Sequence, residues 1–175
     1  ETAPATYANR DAKFFAEYAQ KAFGVKRNNM KLLINEQATL TQTFKALEKL
    51  NEISILFGQA QIDAGVDVLT FPDHATGDLV SGEYYQRFLQ DIHTDIVDKL
   101  PVPLILHICG RTIDRMPFIA QTGMAAFHFD SKNDPQEAMD AVNGGITLVG
   151  NINNPETLYA RTPNDVKQEV FKCLD

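Results

Sequence analysis

Residues Pro101 to Gly110 read PVPLILHICG, an aliphatic run that ends abruptly in His107, Cys109 and Gly110. Such a run, opened by proline and closed by glycine, describes a buried β-strand. Side chains alternate along a strand, so His107 and Cys109 share one face and Ile108 lies on the other. An imidazole and a soft thiolate side by side at a strand end suit zinc. A zinc site takes at least three protein ligands, so this pair needs a partner elsewhere.

Working outward, the chain repeats one unit. Before the strand, a long helix from about Thr41 to Ala64 carries Leu47, Leu50, Ile53, Phe57, Ala60 and Ala64 on one face, and Gly65 ends it. A strand follows from Val66 to Phe71, broken by Pro72, and Ser81 then caps a helix reaching Leu100. After the strand come a helix from about Thr112 to Gln121 and a strand from Met124 to Asp130. Asp134-Pro135 starts a helix to Val142, and Gly144-Gly145 leads into a strand from Ile146 to Ile152. Asn154-Pro155 begins a short helix, and Thr162 with Asp165 forms a box-like start for the last one. Nearer the amino end, residues 1–10 read as a polar loop. Phe15, Tyr18, Ala19, Ala22 and Phe23 mark an amphipathic helix stopped at Gly24, and a short helix covers Met30 to Asn35.

Strand, helix, four times over, means parallel β/α architecture. Four such units fit either a small open sheet or half of an eight-fold barrel. No repeat or second domain is visible, so residues 1–175 are expected to form one domain.

Composition sets the outer limits. With 175 residues, 44% hydrophobic and 22% charged, the chain can bury one sizeable core. A formal net charge of −7 with no basic run argues against a nucleic-acid surface. No apolar segment approaches the roughly 20 residues of a membrane span, and no signal peptide opens the chain. Cys109 and Cys173, the two cysteines, make no disulfide framework, and a cytoplasmic setting is expected. The chain begins at Glu1, not at methionine, and reads as a piece of something longer.

In parallel β/α folds, chemistry gathers at the carboxyl ends of the strands. Here those ends hold Asp73 and His74, then His107 and Cys109, then His128 and Asp130, then Asn151 and Asn153. Any single member has a plain structural reading. A strand-end histidine can be a hydrogen-bonded scaffold residue, Asp73 a turn aspartate after Pro72, and Asp130 a cap for the next helix. His107 with Cys109 is the stronger pair, because both residue type and spacing suit a metal. Cys173 lies on a helix with Val166 and Val170 at packing intervals, which reads as a buried thiol outside the strands. Gly144-Gly145-Ile146 precedes a strand instead of opening a helix, so it is no dinucleotide loop, and no Gly-x-Ser-x-Gly elbow occurs.

Four runs, in order, carry a family resemblance: Gln59-Ala60-Gln61-Ile62-Asp63-Ala64-Gly65-Val66-Asp67, Leu106-His107-Ile108-Cys109-Gly110, Val149-Gly150-Asn151-Ile152, and the ending Thr162-Pro163 through Val166, Glu169-Val170 and Cys173-Leu174. From about residue 40 onward the chain resembles the uroporphyrinogen decarboxylase superfamily. Within it, His107-Ile108-Cys109 is similar to the zinc-dependent cobamide methyltransferase branch, which includes the methylcobamide:coenzyme M methyltransferases. The resemblance implies an α/β fold of the (β/α)8 TIM-barrel type, of which this chain would be about half, lacking the first strands and the last. It implies zinc held by His107, Cys109 and a cysteine beyond Asp175, with Asp130 near the metal. Asp73, His74, His128 and Asn151 would line the substrate pocket, with no catalytic group beyond the metal ligands.

The implied activity moves a methyl group between a corrinoid, methylcobalamin, and a thiol such as coenzyme M or another small methyl donor or acceptor. In the first direction zinc activates the thiol; in the reverse it polarises a methylated substrate. The implied partner is a corrinoid protein docking at the barrel mouth. The rival within the superfamily is a porphyrinogen decarboxylase, against which Cys109 counts. The bland alternative is a metal-free β/α protein. By itself the chain is expected to be inactive and to expose two sheet edges.

Overall fold

The computed structural model describes residues 37–173. The helices expected near residues 11–24 and 30–35 lie outside them. Contacts divide the chain into Glu1–Ala46 and Leu47–Asp175. Of the first unit, residues 37–46 are described, and they are helical.

The elements run α1 (Gln37–Asp63), β1 (Leu69–Asp73), α2 (Gly82–Phe88), α3 (Gln90–Lys99), β2 (Leu104–Ile108), a 3-10 turn (Ile113–Arg115) continuing into α4 (Met116–Ile119), β3 (Ala126–Phe129), α5 (Pro135–Val142), β4 (Thr147–Val149), a π-helical turn (Asn154–Leu158) and α6 (Pro163–Lys172). The caps read from sequence form as expected. Ser81 accepts from the amide of Tyr84, Asp134 from that of Glu137, and Thr162 and Asp165 close a capping box around Pro163. No helix among the described residues is long and apolar enough to cross a membrane.

All four strands are parallel, in the order β1-β2-β3-β4. This order decides between the two architectures left open by the rhythm. Right-handed crossovers that always step to the next strand put every helix on the same side of the sheet. An open doubly wound sheet reverses its order to cover both sides; a barrel does not. The burial agrees with the barrel arc. On one face Leu104, Leu106, Ile108, Phe127 and Phe129 are buried against Ile96, Leu100, Met116, Ile119, Ala138 and Val142. On the other, Thr70, Pro72, His128, Thr147 and Val149 are exposed, and Ile105 and His107 half-buried. The fold is α/β, a partial barrel.

Several boundaries differ from expectation. β1 continues through Pro72, because the Leu69 amide donates to the Pro103 carbonyl (3.1 Å) and alternation turns Pro72 away from β2. The absent N–H of proline therefore falls on the side of β1 away from β2, where no strand pairs among the described residues. The single helix expected from Ser81 to Leu100 is interrupted at Leu89 (φ −117°). The helix expected from Thr112 shortens because Pro117, lacking a donor, sits in the first turn of α4. Over residues 47–63, the buried side of α1 is Asn51, Ile55, Gly58 and Ile62; Leu50, Ile53 and Phe57 are exposed, the reverse of the face read from periodicity. Gly58 decides the side, since a Cβ there would press on Leu100 at 2.7 Å.

Candidate metal centre

The register sets which strand-end groups meet. His107 pairs with His128 across β2 and β3, and His128 with Val149 across β3 and β4. His107, Cys109 and His128 therefore point to the same, inner face. The Nε2 of His107 lies 3.0 Å from the Sγ of Cys109, and its Nδ1 lies 3.1 Å from the carbonyl oxygen of His128. A carbonyl only accepts, so Nδ1 carries the proton and Nε2 presents its lone pair to Cys109. That is the tautomer a metal-binding histidine needs, held by the main-chain contact such ligands commonly have.

The ring of His128 leans on that of His107, with centroids 4.6 Å apart and planes at 33°. Partial burial and the neighbouring His107 lower the His128 pKa, with Asp130 opposing them. Burial pushes the Asp130 carboxyl up, but hydrogen bonds from the amides of Gly110 and Lys132 outweigh it, and the pKa is lowered. Those bonds measure 2.9 Å each and occupy one site on each oxygen of Asp130. A carboxylate oxygen accepts twice, and the Ser131 hydroxyl also donates to Oδ1 at 3.5 Å, so capacity is left on Oδ2.

Zinc bond lengths place tetrahedral nitrogen and sulfur donors roughly 3.5 Å apart. The observed pair is closer by about half an ångström, within contact of the sulfur and the ring nitrogen. A small rotation of the exposed Cys109 opens it. The two donors thus fit one edge of a zinc site. Among the described residues, no group of three His, Cys, Asp or Glu comes together as a metal cluster.

His107, Cys109, His128, Asp130 and Asn151 line one cavity of about 860 Å³. Cys173 lines it too, half-buried at the end of α6; the sequence placed this thiol in the packing layer. The turn directly after Cys109 is shaped by Gly110. Its φ of +78° suits glycine, and any Cβ would collide with the Oγ1 of Thr76.

Asp73 and His74 do not line that cavity. Asp73 pairs with Ile108 and so faces the helices, away from His107. Its Oδ2 meets the Nε2 of His93 at 3.0 Å, and the Nδ1 of His93 meets the hydroxyl of Tyr85 at 2.7 Å. Burial raises the Asp73 pKa, but the hydrogen bond from His93 and those from the amides of Ala75 and His74 bring it down overall. His93 and Tyr85 are buried completely. His74 is exposed in the following loop. That loop is clamped by the fully buried Arg115, which donates to the carbonyls of Ala75 and Val80 and pairs with Asp114. Sequence reasoning passed over His93. The available signal was its place in the stripe Leu89, Ile92, Ile96, Leu100, where a histidine must find partners indoors.

The profile of the uroporphyrinogen decarboxylase family matches residues 25–175. The chain is 29% identical over 133 residues to the methylcobamide:CoM methyltransferase MtbA of Methanosarcina acetivorans, covering 74% of this chain and 39% of that protein. It is 33% identical over 152 residues to the uroporphyrinogen decarboxylase of Hamiltonella defensa, covering 82% of this chain and 40% of the other. In structure it is similar to a methyltransferase from Methanosarcina mazei, with a TM-score of 0.75 at 26% identity over 83% of this chain and 43% of that one. The chain spans roughly two fifths of the length of these relatives.

Proposed function

The chain belongs to the uroporphyrinogen decarboxylase family, and from that premise we propose that it is part of a corrinoid-dependent, zinc-dependent methyltransferase. The reaction moves a methyl group between methylcobalamin and a small thiol such as coenzyme M. One observation carries the reading: the lone pair of His107 Nε2 and the sulfur of Cys109 converge at 3.0 Å on the inner face, at the carboxyl end of β2. His107 and Cys109 would hold zinc, with Asp130 beside them and a further donor outside the described residues. Bound there, zinc would supply a Lewis acid that keeps a substrate thiol deprotonated at neutral pH.

The remaining work belongs to the protein. The carbonyl of His128 holds the His107 ring, and the amides of Gly110 and Lys132 keep Asp130 an anion. His128 and Asn151 line the pocket that receives the thiol. His74, exposed in the loop after β1, is retained as a contributor to the outer pocket wall, whereas Asp73 is committed to His93 on the helix side and is dropped from the pocket. A cytoplasmic enzyme served by a separate corrinoid protein fits this reading, with the open mouth as the docking face. The methyltransferases among the relatives support it.

Metal analysis and methyl transfer, both on the full-length product, test it together. Near-stoichiometric zinc, lost in Cys109→Ala, and a thiol-dependent absorbance change as methylcobalamin is demethylated are the expected results. Zinc-free protein with unaffected activity would refute it. The similarity to uroporphyrinogen decarboxylases favours a second reading, a porphyrinogen decarboxylase. Metal-independent release of carbon dioxide from uroporphyrinogen, indifferent to Cys109→Ala, would establish that one.

A further inference from the structure

Asn133 lies between β3 and α5, 3% exposed, and its side chain has every polar atom engaged. Its Nδ2 donates to the carbonyl of Gly110 (2.8 Å) and to that of Asp130 (2.9 Å). Its Oδ1 accepts from the amide of Thr112 (2.7 Å). Its own carbonyl accepts from the Nδ2 of Asn151 (2.8 Å), which also reaches the Asp130 carbonyl (3.2 Å). The ring closes where the Gly110 amide donates to Asp130 Oδ2. One carboxamide thus grips both ends of the turn from Gly110 to Thr112, directly after Cys109, and the residue that carries the nearby carboxylate.

We propose that Asn133 is the positioning residue of the metal centre. Its carboxamide sets where the Cys109 turn stands relative to Asp130, and with it the donor geometry open to a metal. The inference rests on His107 and Cys109 being ligands. No other residue type of this size does the same task. An aspartate would aim oxygen at two carbonyls, and a serine has too few polar atoms to hold Gly110 and Thr112 together. Groups that orient ligands in this way typically contribute 10–100-fold in metal affinity.

Cobalt(II) is the probe, because its thiolate charge-transfer and d–d bands report ligands and geometry. Three variants are compared in the purified full-length protein: Asn133→Asp, Asn133→Ser and Val142→Ala. The last is a control that loosens the core on α5 without touching the network. The expected result is cobalt affinity weakened by about 10- to 100-fold in the Asn133 variants, with altered d–d bands. Val142→Ala should leave both unchanged even where its melting temperature falls as far. A folded Asn133→Asp with the parent affinity and spectrum overturns the proposal. Amide hydrogen exchange at Gly110 and Thr112 provides a readout that needs no metal. Faster exchange is expected in Asn133→Ser than in Val142→Ala, and equal exchange also overturns the proposal. A parent protein that binds no cobalt, yet shows that faster exchange, would instead remove the ligand reading and leave the hold of Asn133 on the turn intact.

Discussion

Replacing Gly110 by alanine should separate two costs that the structure superimposes. The first is conformational: at φ +78° an L-residue loses roughly 1–2 kcal/mol relative to glycine. The second is steric, since the new Cβ would overlap the Oγ1 of Thr76 and sit 3.3 Å from its Cβ. Overpacking of this kind costs about 1–3 kcal/mol. Together they amount to about 2–5 kcal/mol, and a chain of this length loses roughly 2–4 °C of melting temperature per kcal/mol. The steric part is separable because Thr76 Oγ1 is buried with no hydrogen-bond partner. Thr76→Ala alone therefore sacrifices no bond and should stay within about 1 kcal/mol of the parent. Gly110→Ala with Thr76→Ala should recover the steric part and keep the conformational one. Thermal or urea denaturation of the four proteins measures the cycle. Equal destabilisation of the single Gly110→Ala variant and the double variant would refute the argument that Thr76 is what excludes a side chain.

The buried chain from Tyr85 through His93 to Asp73 makes two further predictions. An ionised Asp73 fixes the His93 proton on Nε2, so the Tyr85 hydroxyl donates to Nδ1, and burial with the Asp73 charge holds the tyrosine pKa well above its ordinary value. Tyr85→Phe strands that nitrogen and should cost about 1–3 kcal/mol by denaturation; an unchanged midpoint would show that the contact contributes nothing. The Asp73 carboxyl is lowered in the folded protein from an ordinary 3.8, so its contribution is complete above that value and lost as pH falls through the lowered one. Asp73→Asn should therefore destabilise at neutral pH and flatten the acid limb of the stability profile, and an acid limb identical to the parent's would contradict this assignment.

The legible parts of this molecule were those governed by neighbours in sequence. Period-two alternation put His107 and Cys109 on one face, and the structure shows them at hydrogen-bonding distance. Ser81, Asp134 and Thr162 announced their helices because a cap is a contact over three residues. Local periodicity does not fix the side of α1, because that helix is apolar on more than one face, and distant contacts, Gly58 against Leu100 and Asn51 with Asp95, select between them.

What alternation cannot supply is register between strands. Asp73 and His107 both end strands, yet pairing Asp73 with Ile108 sends its carboxylate to the helix side, toward His93. The roles of Asn133 and Arg115 were not legible locally, because the partners that define them, Gly110 and Thr112 for Asn133 and Ala75 and Val80 for Arg115, lie 21 to 40 residues away in the chain. The sequence by itself determined the β/α rhythm, the helix starts and the pairing of His107 with Cys109. Only the tertiary structure decided that the sheet keeps one strand order, as a barrel arc does, and which strand-end groups share the inner face. The reason is physical: strand order and register are set by packing between distant segments, and no short window of residues contains them.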